Sequence, residues 1–130
     1  MGITVLAIDD DPVNLKLAAE VLQADGHDVI RAADAEQALR LLDQHAPDLV
    51  LTDIAMPGMS GLELTRRLKA DPRYRHLPVV AMTASAMKGD ESRILEAGCD
   101  AYLAKPLDTR RLAMQITAIL ADHRQPGRKA

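Results

Sequence analysis

Hydrophobic and polar positions along this chain follow two alternating periods. The runs ITVLAI, DVIRA, DLVLT, VVAM and AYLA are short and largely apolar, which is the length and character of strands buried in a sheet. They predict strands at about 3–8, 28–32, 48–53, 78–83 and 99–104. Between them, apolar residues recur at helical spacing, and the helix ends are marked. Asp11 reads as the cap of a first helix with Pro12 in its first turn, and Gly26 as its left-handed stop. Asp34 with Gln37 forms a capping-box pattern before AEQALRLLDQH, which Pro47 closes. Ser60 with Glu63 repeats the box for a third helix ending near Asp71-Pro72. A fourth helix lies within 86–97 and stops at Gly98, and Asp108 caps a last one reaching about 121.

Strands alternating with helices through connections this short force a parallel sheet with right-handed crossovers and helices on both faces. The expected fold is a doubly wound α/β domain over residues 1–122, followed by a flexible C-terminal tail at 123–130.

In such a sheet, ligands bind outside the carboxyl ends of the strands. Those ends carry distinctive side chains: Asp9 and Asp10 after the first run, Asp53 after the third, Thr83 after the fourth and Lys105 after the fifth. Three carboxylates near one point repel each other and favour a hard cation. Mg²⁺ fits because it takes oxygen ligands and needs only one or two protein carboxylates beside a phosphate. Zinc does not fit, since His27, His45, His76 and His123 are scattered without ligand spacing. A hydroxyl at Thr83 and an ammonium at Lys105 suit the oxygens of a phosphoryl group. Together these are the parts for phosphoryl transfer onto an aspartate. Taken singly, each residue has a plainer reading, and Asp11 is assigned to its own as a helix cap. The joint pattern carries the chemistry.

Composition narrows the setting. The 130 residues are 48% hydrophobic and 27% charged, enough for a self-sufficient core, and only 2% aromatic, so that core is aliphatic. A net charge of −3 without a basic block argues against direct nucleic-acid binding. Cys99 is the single cysteine; it excludes an internal disulfide, fits a reducing compartment and reads as a small buried strand residue. No apolar run approaches the roughly 20 residues that span a bilayer, and no signal peptide precedes the first strand, so a cytoplasmic location without membrane insertion is expected.

The segments AIDDDPVN, LVLTDIAMPGMSG, VVAMTA and YLAKP resemble the signature blocks of bacterial response-regulator receiver domains over about residues 3–120. The stretch TASAMKGDESRILEAGCDAYLAKPLD is similar to DivK-type single-domain regulators and to receiver modules of hybrid histidine kinases. The resemblance implies a CheY-like, flavodoxin-like sheet of five parallel strands in the order 2-1-3-4-5 with five helices. It implies that Asp53 accepts a phosphoryl group from a histidine kinase or histidine phosphotransfer protein. Asp10, Asp53 and the Ala55 backbone carbonyl would ligate Mg²⁺, with Asp9 acting through water. Lys105 would pair with the acyl phosphate, Lys105-Pro106 would be a cis peptide, and Thr83 would turn to the phosphoryl group as Tyr102 rotates behind it. Met87, Lys88, Asp90 and Arg93, with strand 5 and helix 5, would form the face that meets a downstream protein.

On the first helix a core stripe is drawn through Leu17, Ala18, Val21 and Leu22, with Asn14 on the same face. Val13, Leu15 and Ala19 fall at its edges, an apolar surplus suited either to a docking helix or to a neighbouring helix of the same fold. The leading expectation is a stand-alone phosphoacceptor switch rather than an enzyme. A receiver module excised from a hybrid kinase is its first rival. A Mg²⁺-dependent aspartate phosphohydrolase, with Asp9 and Asp11 as nucleophile and acid, would leave Asp53 and Pro106 unexplained. A nucleotide-binding fold lacks the Gly-rich loop after the first strand.

Overall fold

The computed structural model describes residues 2–84 and 89–123. Five strands, β1 (Thr4–Ile8), β2 (Asp28–Ala32), β3 (Leu49–Asp53), β4 (Val79–Thr83) and β5 (Ala101–Ala104), alternate with five helices. The helices are α1 (Pro12–Ala24), α2 (Ala35–Gln44), α3 (Gly61–Ala70), α4 (Asp90–Ala97) and α5 (Leu112–His123). The strands form one sheet in the order β2-β1-β3-β4-β5, all pairs parallel.

Side chains alternate across the sheet with the period of two that a pleated strand imposes. Leu6 and Ile8 of β1, Val50 of β3, and Val79 and Ala81 of β4 face one core with Leu42 of α2, Leu64 and Leu68 of α3, and Ile94 of α4. Val5, Leu49, Leu51, Val80 and Met82 face the other, with Ala18 and Leu22 of α1 and Leu112 and Ile116 of α5. Every residue of β3 and β4 is buried, as expected of central strands covered on both faces.

Several expectations shift at this level. In α1 the buried residues are Ala18, Ala19 and Leu22, whereas Leu17 is 40% and Val13 72% exposed. This helix has apolar residues on two overlapping stripes, and the sheet selects the one whose small alanines allow close approach. Cys99 is buried but precedes β5 rather than lying in it. The capping at Asp34 and Ser60 holds on the side-chain-to-backbone half, with Gln37 N–H donating to Asp34 at 2.7 Å and Glu63 N–H to Ser60 at 3.1 Å. The return halves differ: Gln37 accepts from Ala33 N–H, and Glu63 lies 3.7 Å from Arg67. Asp108 organises a turn, accepting from Arg110 N–H at 3.0 Å, and α5 proper begins at Leu112. It runs through His123, one residue into the segment expected as tail; residues 124–130 lie outside the described residues.

The two edges of the sheet are finished differently. At the amino edge, Lys69 of α3 donates to Asp100 at 2.9 Å and to the Leu77 carbonyl at 2.7 Å, a closed structural ion pair. At the carboxyl edge, α3 begins against the end of β3, where Gly61 N–H donates to the Ile54 carbonyl at 3.1 Å. A Cβ at Gly61 would overlap the Asp53 carbonyl, so only glycine lets α3 start there. Gly61→Ala is expected to destabilise the protein by about 1–3 kcal/mol, the usual penalty of overpacking, read as a lowered urea midpoint. An unchanged midpoint would show that β3 and α3 can separate freely.

Candidate functional site

The parallel register delivers the polar strand ends to one place. Asp9 follows β1 and is anchored by its own N–H donating to Ala32 at the end of β2, 3.1 Å. Its side chain is buried: Oδ1 accepts from Asp11 N–H at 2.9 Å, and Oδ2 has no hydrogen bond. Asp10 is exposed. Asp11 accepts from Val13 N–H and caps α1, leaving the site to its neighbours.

Asp53 closes β3 and is 5% exposed. Its Oδ1 accepts from Ala55 N–H at 3.2 Å and its Oδ2 from Lys105 Nζ at 2.9 Å. Lys105 reaches in from beyond β5, where its N–H donates to the Thr83 carbonyl at 2.8 Å and its bond to Pro106 is cis. Its ammonium also lies 3.4 Å from Asp9 Oδ2. One lysine therefore faces two carboxylates.

Asp9, Asp10 and Asp53 can each offer one oxygen, all within 4.8 Å of one another. An all-oxygen set with surplus negative charge, one oxygen of it buried without a hydrogen bond, fits a hard divalent cation. Burial raises the pKa of Asp9, and the Asp53 charge adds to this; the Asp11 amide and Lys105 offset it only in part. Burial alone would lower the Lys105 pKa, but the hydrogen bond and charge of Asp53, with Asp9, outweigh it and hold the ammonium above its ordinary value.

Thr83 ends β4 and is 1% exposed. Its hydroxyl donates to Asp90 Oδ2 at 2.7 Å, and Asp90 Oδ1 lies 3.0 Å from Arg93 Nη1. Asp90 thus faces inward rather than presenting itself to solvent, while Arg93 is exposed. Tyr102 is half-buried beside the core, and the Glu91 carboxylate, together with burial, raises its phenol pKa. Met87 and Lys88 lie outside the described residues.

Sequence reasoning missed three contributors: Gly61, the Ala55 amide and the acceptor role of Asp90. A glycine opening α3 was visible, but nothing in the string says what a Cβ there would strike. Asp90 was expected on the output face, and nothing in the string marks it as the acceptor for Thr83.

The surface apart from this site offers less chemistry. Tyr74 donates to Asp43 at 3.1 Å beneath Arg73, and His27 accepts from Ile3 N–H at 3.1 Å; both are structural bonds. No helix among the described residues is long and apolar enough to cross a membrane.

Residues 5–117 match the sequence model of the family described as the response regulator receiver domain. The chain is 44% identical over 119 residues to the polar-differentiation response regulator DivK of Brucella anthropi, covering 92% of this chain and 97% of that protein. The signal receiver domain of a signal transduction histidine kinase from Syntrophus aciditrophicus matches with a TM-score of 0.85 and 30% identity, over 93% of this chain and 92% of that one. The receiver domain of a sensor histidine kinase from Pseudomonas aeruginosa, solved with a magnesium ion coordinated in its active-site cleft, matches at 0.84 and 32%, over 93% and 99%.

The raised pKa of Asp9 has a measurable sign. Its charged form opposes folding, fully so above the folded-state pKa, and the opposition vanishes at low pH where the group is protonated in both states. Asp9→Asn should therefore raise the melting temperature of the metal-free protein at neutral pH by roughly 3–5 °C, the shift that about 1 kcal/mol produces in a domain of this size. Calorimetry in a chelator should show the gain fading below about pH 3.5; an equal gain at both pH values would rule out buried charge as the cause.

Proposed function

The chain belongs to the response regulator receiver domain family of two-component signal transduction, and from that premise we propose that Asp53 is its phosphoacceptor. The observation that carries this reading is the Lys105 ammonium held 2.9 Å from Asp53 Oδ2 within the carboxylate cluster. A cation so placed can pass from the free carboxylate to a phosphoryl oxygen without moving far.

In the proposed reaction an Asp53 oxygen attacks the phosphorus of a phosphohistidine on a histidine kinase or phosphotransfer protein. The P–N bond breaks as the P–O bond forms, and the departing imidazole nitrogen keeps the electron pair. A carboxylate nucleophile needs no general base. Asp10, Asp53 and the Ala55 carbonyl would hold Mg²⁺ directly and Asp9 through water; the bound ion supplies positive charge for the phosphoryl oxygens. Thr83 then donates to a phosphoryl oxygen, Tyr102 turns inward, and the face formed by α4, β5 and α5 changes shape. Met87, Lys88 and Arg93 are assigned to that face, where a downstream protein binds, with Asp90 behind it on Thr83.

On this reading the protein modifies only itself and is not a turnover enzyme. The unpaired thiol of Cys99 suits the cytoplasm, where we place it. A receiver module of a histidine kinase would use the same chemistry, and the Syntrophus and Pseudomonas receiver domains keep that setting open for this chain.

Incubation with a small phosphodonor and Mg²⁺ should give a single phosphoryl adduct by intact mass, absent in Asp53→Asn and abolished by chelation. Lys105→Ala should slow its formation roughly 10²-fold, the scale of losing one charge-stabilising donor. An adduct that persists in Asp53→Asn overturns the assignment, and multiple turnover on phosphate esters would make the protein a hydrolase.

A further inference from the structure

The two side chains expected to move on phosphorylation both answer to acids in the first turn of α4. Thr83 Oγ1 donates to Asp90 Oδ2 at 2.7 Å, a short charge-assisted bond. The next residue, Glu91, is the group whose carboxylate raises the Tyr102 phenol pKa. Asp90 is itself fixed from the other side by Arg93, 3.0 Å from Oδ1. Its side chain is 13% exposed, against 65% for Arg93. No side chain caps α4: the N-cap is Gly89, whose φ of 94° lies in the left-handed region. The Asp90 carboxylate is directed instead at the end of β4.

We propose that Asp90 is a positioning residue that holds the Thr83 hydroxyl away from Asp53, so that the phosphoryl group must compete with a resident carboxylate for the same donor. This inference rests on Asp53 being the phosphoacceptor. Thr83 sits one residue beyond Met82, the β4 partner of Asp53 in the ladder, and so borders the site on the neighbouring strand. Its hydroxyl has one proton to donate. Both acceptors are anionic oxygens, so exchanging one for the other is close to balanced, and a switch needs that balance if one covalent group is to tip it.

Release of Thr83 has a second consequence. Asp90 and Glu91 are neighbours on the first turn of α4, so a shift of that turn toward or away from β4 also changes the hold on Tyr102. The acid pair would couple the two side chains mechanically. Arg93, left with Asp90, carries the change onto the exposed face of α4.

Mg²⁺-dependent binding of beryllofluoride, a phosphoryl mimic, tests the proposal alongside the Thr83 χ1 rotamer measured by NMR couplings without metal or mimic. Asp90→Ala should shift the Thr83 rotamer population away from the one that faces Asp90. It should also tighten beryllofluoride binding roughly ten- to a hundredfold, the scale of removing one competing hydrogen bond to a charged group. In a Thr83→Ala background the same Asp90 substitution should leave the affinity unchanged, a coupling that general loosening of α4 would not produce. Arg93→Gln, which frees Asp90 without removing it, should give a smaller gain in the same direction.

An unchanged Thr83 rotamer, an affinity that does not rise, or a gain that persists without the Thr83 hydroxyl each overturns the proposal. If the wild-type protein binds no beryllofluoride with Mg²⁺, the phosphoacceptor reading falls and this inference with it. Wild-type binding with no gain in Asp90→Ala overturns this inference alone.

Discussion

The Lys105 ammonium, placed between Asp53 and Asp9 at the carboxyl edge of the sheet, is the interaction on which the site depends. Three carboxylates gather there against that one lysine. Without Lys105 the buried Asp9 and Asp53 would face each other with no opposing charge, and burial of an uncompensated charge is among the most destabilising features a fold can carry. With it the edge is still short of positive charge. That deficit is what suits the site to a hard cation.

The rest of the fold keeps those charges where the chemistry needs them. β3 and β4 are buried along their whole lengths, so the ends that carry Asp53 and Thr83 cannot slip without exposing two apolar faces. Gly61 brings the start of α3 against the Asp53 carbonyl and fixes that end from a second direction. At the opposite edge Lys69 and Asp100 make a closed pair that also satisfies the Leu77 carbonyl and the Val79 amide. The sheet thus has a finished structural edge and an unfinished reactive one, and α4 carries the reactive edge's side chains toward the surface through Asp90 and Glu91.

Much of this was legible as a string because strand ends announce themselves. Five apolar runs with polar residues at their carboxyl ends specified a parallel sheet, and Asp9, Asp10, Asp53, Thr83 and Lys105 followed from where the runs stopped. Asp11 could be set aside because Pro12 follows it, and the helix caps at Asp34 and Ser60 were readable for the same local reason. The misreadings are non-local. Leu17 and Ala19 have equal claims on a helical stripe until the sheet decides how closely α1 approaches. Cys99 is buried by its neighbours, whether or not it lies in a strand.

The order of elements, the sheet edge where Asp9, Asp10, Asp53, Thr83 and Lys105 gather and the residue types found there are all written locally, since period, capping and side-chain chemistry are properties of short segments. Which partner each group meets was settled by packing: Lys105 on two aspartates at once, Thr83 on Asp90, and Gly61 under the Asp53 carbonyl. Those pairings join residues from different elements. Their strength depends on distance and burial, which packing alone sets.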